Sequence, residues 1–102
     1  MFITEKDYIQ VGPEALKIMQ QNSEENRRVA ENRALSRIAS ALRGRYDVDT
    51  AFAMEGEKRD AELVGCAVDI ALYHMACSLP QRMGGEVREK RYNAALDYLK
   101  EI

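Results

Sequence analysis

The stretch from Ala61 to Leu79 reads AELVGCAVDIALYHMACSL. Fourteen of its nineteen residues are hydrophobic, the exceptions being Glu62, Gly65, Asp69, His74 and Ser78. Pro80 ends a helix there and Lys58 to Asp60 offer its start, so the pattern predicts one helix over about residues 58–79. A helix apolar almost all the way round is a central one, touched by partners on several sides. The membrane alternative fails on length. The longest uncharged run, Ile70 to Gln81, holds 12 residues, whereas a spanning helix needs about 20. Asp69 within it would cost roughly 3 kcal/mol on insertion.

Partners for that central helix are legible on both sides. Thr4 followed by Asp7 suggests a capped, brief helix through Tyr8 and Ile9, stopped at Gly12. Pro13 suits a first helical position ahead of Glu14 to Met19, and Gln20 to Ser23 form a polar break. Ser23 is a good N-cap for a helix running to about Arg43 and ending at Gly44. Its apolar positions Ala30, Ala34, Leu35, Ile38, Ala41 and Leu42 repeat at helical spacing. Arg28, Glu31, Arg33, Arg37 and Arg43 are expected on its solvent face. Asp47 to Glu57 reads as a loop pinned to the core by Phe52 and Met54. Met83-Gly84-Gly85 reads as a turn before a last helix, about Glu86 to Lys100, with Tyr92, Ala95, Leu96 and Leu99 on one face. The fold class is therefore all-α: a compact bundle of about four helices around the apolar helix near 58–79.

With 102 residues, the chain fits a single helical domain over residues 1–102. Hydrophobic residues at 46% can build its core, and charged residues at 31% can cover it. Fifteen basic residues against 17 acidic ones, net −2, are too even for a polyanion binder on charge alone. Arginine is unevenly placed, however, so a local basic face stays open. Cys66 and Cys77, eleven residues apart, would stand roughly 16 Å apart on one helix, too far for a disulfide. They read as buried small hydrophobes in a reducing compartment. The N-terminus turns charged at Glu5 and shows no secretory signal.

No catalytic or metal-binding set assembles from this sequence, and no cofactor is expected. His74 is the only histidine, and Asp69, five residues back, lies roughly 140° away around a helix. It reads as a hydrogen-bonded core histidine. Glu86 and Glu89 share a face without a second ligand pair and read as solvated. Asp69 stands out, because an ionised carboxylate in an apolar helix is costly unless paired. Either it bonds a neighbouring arginine, with Arg45 or Arg91 as donor, or it lies on the one exposed strip. Arg45-Tyr46 and Arg91-Tyr92 are the remaining candidates for contact residues. Packing at the core edge is the favoured reading for both tyrosines, and the arginines stay open. Ala34 to Gly44 carries features of a helix-turn-helix, but Arg45 to Asp49 is acidic where a recognition helix should be basic.

In order along the chain, several groups of residues share spacing with one family. They are Phe2-x-Thr4-x-x-Asp7, Gly12-x-Glu14-x-Leu16, and Ala34-x-x-Arg37-Ile38-x-x-x-Leu42-x-x-Arg45-Tyr46. Leu63-x-x-Cys66-x-x-Asp69-Ile70-Ala71-x-Tyr73 and Arg91-Tyr92-Asn93-x-Ala95-Leu96-x-Tyr98-Leu99 follow. The set resembles the Mu-like phage head–tail joining proteins, connectors between portal and tail. Such proteins often carry a proline soon after the first Arg-Tyr, and Val48 to Phe52 has none.

The resemblance implies a structural, non-enzymatic subunit of a virion, made and assembled in the bacterial cytoplasm. Its partners would be further copies in a ring, the portal protein and a tail-completion protein. DNA would pass through the ring without sequence-specific contact, and no membrane would be involved. The rival readings are a helical adaptor that binds a partner in a groove, and a DNA-binding regulator using the helix from Ser23.

Overall fold

In a computed structural model of the chain, residues 2–79 and 85–102 are described. Among them are six α-helices: α1 Glu5–Val11, α2 Pro13–Gln21, α3 Glu24–Leu42, α4 Val48–Ala53, α5 Ala61–Cys77 and α6 Gly85–Glu101. A 3-10 turn at Gly56–Lys58 precedes α5. Helix α5 packs against α3 and α6 along its length and against α1 and α2 on a third side. Of the turn expected at Met83-Gly84-Gly85, the first two residues lie outside the described ones, as does Pro80. Gly85 opens α6.

Burial follows the composition of α5. Every residue from Cys66 to Leu72 is buried, Asp69 included, so that part of the helix has no face toward water. Ile70, Ala71 and Leu72 have no accessible surface. Burying an Ile or Leu side chain stabilises the fold by roughly 1.5–3 kcal/mol, and α5 supplies several. Helix α3 contributes Ala30, Ala34, Ile38 and Leu42, α2 contributes Ala15, Ile18 and Met19, and α6 contributes Ala95 and Leu99. The radius of gyration, 12.9 Å, matches the roughly 13 Å of a compact chain this long.

Local chemistry sets the helix ends. The Thr4 amide donates to Asp7 Oδ2 at 2.7 Å, opening α1. Gly12, at φ +144°, carries the sharp link into α2, a conformation an L side chain rarely adopts. Pro13 then occupies the first turn of α2. Asn22 donates to Ile18 O at 2.9 Å and to Met75 O at 3.3 Å, tying the end of α2 to α5. The Ser23 hydroxyl accepts from Asn26 N at 3.1 Å and caps α3.

Several sequence expectations are corrected. The stretch from Asp47 to Glu57 contains a helix, α4, rather than only loop, because Asp47 Oδ1 accepts from Thr50 N at 3.1 Å and caps it. Phe52 does pack inward, its ring 5.1 Å from that of Phe2, while Met54 stays exposed. Glu31 is buried, not on the solvent face of α3, since it falls three and seven residues before Ala34 and Ile38 on the inner stripe. Cys77 is exposed on the last turn of α5, whereas Cys66 is buried. Helix α3 runs unbroken through Leu42, and α4, with sequence VDTAFA, offers no basic or amide side chain to a base edge. A turn and a second helix do follow α3, but that helix lacks the side chains of a recognition helix.

Candidate functional site

Among the described residues four charged side chains are buried, Asp7, Glu31, Asp69 and Arg88, and each meets a side chain from another part of the chain. Asp69 projects from α5 toward α6, and its exposed-strip alternative is excluded by a relative exposure of 6%. Arg91 Nη2 stands 3.1 Å from Asp69 Oδ2, and Arg91 Nε donates to Oδ1 at 3.5 Å. Arg88 Nη1 lies 3.7 Å from the same Oδ1. Burial pushes the Asp69 carboxyl above its ordinary range, and the charges of Arg91 and Arg88 pull it back only in part. Arg88 also reaches α2, with Nε 3.0 Å from Glu14 Oε1. That approach lies off the N–H direction, so it is a charge contact without a directed hydrogen bond. One seam of two acids and two arginines thus joins α2, α5 and α6.

A second seam ties down α1. Arg59 holds Asp7 in a fork, Nη1 to Oδ2 at 2.7 Å and Nη2 to Oδ1 at 3.1 Å. Arg59 also donates to the Gly56 and Phe2 carbonyls, strapping the N-terminus to the approach to α5. Burial would raise the Asp7 carboxyl, but the Arg59 hydrogen bond, the Thr4 amide and the Arg59 charge outweigh it and hold the pKa below normal. Tyr8 donates its hydroxyl to Glu31, a buried link from α1 to α3. Burial and the Glu31 carboxylate keep that phenol protonated far above its usual range.

The sequence-stated candidates divide. Asp69 and Arg91 come together. Arg45 does not join them: it donates to Ala41 O at 2.8 Å and Ile102 O at 2.6 Å, capping the C-terminal ends of α3 and α6. Tyr92 stacks on Tyr73 with centroids 4.0 Å apart and planes 12° from parallel. Tyr46, expected at the core edge, is 54% exposed instead. It borders a hollow of about 340 Å³ lined by Leu42, Val48, Leu63, Tyr98 and Ile102, with Asp47 and Asp60 among them. His74 is half-buried with its ring edge-on to Tyr92 at 5.9 Å. Burial, then the charge of Arg33, lowers its pKa. Cys66 donates to Ala95 O at 3.5 Å, and burial plus the nearby Asp69 push its thiol up to about 12, which keeps it from acting as a thiolate.

Two grooves flank α6. One, between α1, α5 and α6, is lined by Gln10, Val11, Gly65, Val68, Arg88 and Arg91. Gly65 leaves its floor open, with nothing within 4 Å of where a Cβ would stand. The other, about 630 Å³, runs between α3 and α6 over His74 and Tyr92. No group of three metal-ligating side chains occurs among the described residues, and no described helix is long and apolar enough to cross a membrane.

These features define a helical bundle whose internal charges tie its elements together and which carries two grooves beside α6. Comparison with protein-family models, with curated proteins and with solved structures finds no match.

Proposed function

We propose that this chain is a phage or prophage head–tail connector subunit, which forms a ring beneath the portal and docks a tail-completion protein. One observation carries the reading. Several polar and aromatic residues of the resemblance fasten the bundle: Asp7 in the Arg59 fork, Arg45 across two helix ends, Asp69 with Arg91, and Tyr73 against Tyr92. A resemblance confined to matching apolar positions would say only that the chain is helical. Here it extends to polar residues with specific partners on other elements. In this reading the working body is four helices, α2, α3, α5 and α6, around the apolar axis of α5, with α1 and α4 as smaller attachments. The function is assembly, the subunit is not an enzyme, and it needs no cofactor. It is made in the bacterial cytoplasm and resides in the virion.

The α1–α5–α6 groove, with its open Gly65 floor, also suits the adaptor alternative, in which one partner helix lies in the groove. Electron microscopy of the chain mixed with a phage portal protein separates the two. The connector reading expects rings on the portal. A portal that stays bare at saturating protein sinks it.

A further inference from the structure

The surface is polarised by charge. From Asn32 to Tyr46 the chain carries Arg33, Arg37, Arg43 and Arg45 and no carboxylate. From Asp47 to Glu62 it carries six carboxylates against Lys58 and Arg59. Two of these basic side chains are engaged within the molecule, Arg45 on helix-end carbonyls and Arg59 on Asp7. Arg33 and Arg37 are exposed and, among the described residues, in no ion pair. They stand one turn apart on the wall of the α3–α6 groove, with Val29 at 53% exposure beside them and His74 and Tyr92 opposite. The groove is positive, aromatic on one side and free of carboxylates on its lining.

The acidic shoulder is exposed and rigidly presented. Asp47 and Asp60 cap α4 and α5 through backbone amides, and Glu62 accepts from the Tyr98 hydroxyl at 3.0 Å. Asp49 and Glu57, in the same segment of chain, are exposed as well. Carboxylates already fixed in place lose little freedom on contact. Asp60 and His74 mark opposite ends of α5, fourteen residues apart, or about 21 Å along its axis. That exceeds the roughly 8 Å screening length at physiological salt. The two patches therefore do not neutralise each other within one molecule.

We propose that the α3–α6 groove of one copy receives the acidic shoulder, Asp47 to Glu62, of the next copy. The patches are opposite in sign and separate on the surface, so the contact is heterologous, the kind that closes into a ring when its rotation permits. This deepens the connector reading and rests on it.

The test uses the full chain and two charge-reversed variants, R33E/R37E and D49K/E57K, with circular dichroism confirming that each folds. All four positions are exposed, so folding is expected to survive. Sedimentation equilibrium at low salt, up to about 1 mM protein, reads association. The wild type should associate reversibly, and more weakly by about tenfold or more when salt is raised to about 0.3 M. Each variant alone should stay monomeric, while their equimolar mixture should associate, because the unaltered groove of D49K/E57K then meets the unaltered acidic shoulder of R33E/R37E. A wild type that is monomeric throughout, a variant that associates like wild type, or a mixture that does not associate overturns the proposal. So does salt-sensitive binding of a short DNA duplex that R33E/R37E abolishes while self-association persists, since the groove would then hold phosphate. Rings on the portal with no rescue in the mixture leave the connector reading standing and this contact wrong. Rescue with a bare portal does the reverse.

Discussion

Asp69 shows how one residue can be conspicuous in a sequence while its environment is not. A carboxylate amid Cys66 to Leu72 calls for a cation, and Arg91 supplies it, yet Arg91 is itself 59% exposed. Arg88, the more buried partner at 7%, gave no such warning. It sits among charged neighbours in Glu86 to Arg91, although it falls four, seven and eleven residues before Tyr92, Ala95 and Leu99 on one stripe. Following that stripe back one turn would have found it, as following Ala34 and Ile38 back would have found Glu31. The asymmetry in exposure gives a prediction. Asp69→Ala strands Arg88 with Glu14 alone and should destabilise by about 2 kcal/mol. Arg91→Ala removes a solvated partner and should cost less than about 1 kcal/mol. Urea unfolding of both variants measures the order, and equal or reversed costs would show that solvent exposure of Arg91 does not weaken its bond to Asp69.

At the scale of elements, legibility follows length and local chemistry. Helix α5 announces itself by composition, and α3 by a long stripe between a serine cap and a glycine. Helix α4 was hidden, because six residues including Val, Thr and Asp have weak helical preference. It forms because Asp47 caps it and Phe52 lies against Phe2, a contact made across 50 residues of sequence that no local pattern contains. The start of α5 depends on Asp60, whose Oδ1 accepts from Glu62 N at 3.0 Å and Leu63 N at 3.2 Å. Asp60→Ala leaves those amides to water and removes a negative charge from the positive end of the central helix. The expected cost is about 1 kcal/mol, read as a lower urea midpoint with an unchanged slope. A changed slope would mean that α5 frays and the compactness of the folded state changes with it.

Across the whole molecule, the buried and half-buried ionisable groups set a pH dependence with opposing parts. His74 has a lowered pKa in the fold, so the unfolded chain binds its proton more readily and stability falls as pH drops from about 6.5 through the folded value. Asp7 also has a lowered pKa, and its contribution is full above about 4 and disappears as pH falls through the folded value. Asp69 works the other way. Its raised pKa means that the fold takes up a proton before the unfolded chain does, so this site regains stability as pH falls from its folded pKa toward about 4. The melting temperature should therefore fall first below about pH 6.5, have its decline slowed by Asp69 at more acid pH, and drop again below about pH 4. His74→Phe keeps an aromatic ring against Tyr73 and Tyr92 and should remove only the first fall. Asp7→Asn should lower the melting temperature at neutral pH and flatten the last one, because the Arg59 fork then holds no titrating charge. A first fall that persists in His74→Phe would transfer it to another group, and the half-buried histidine would have no part in it.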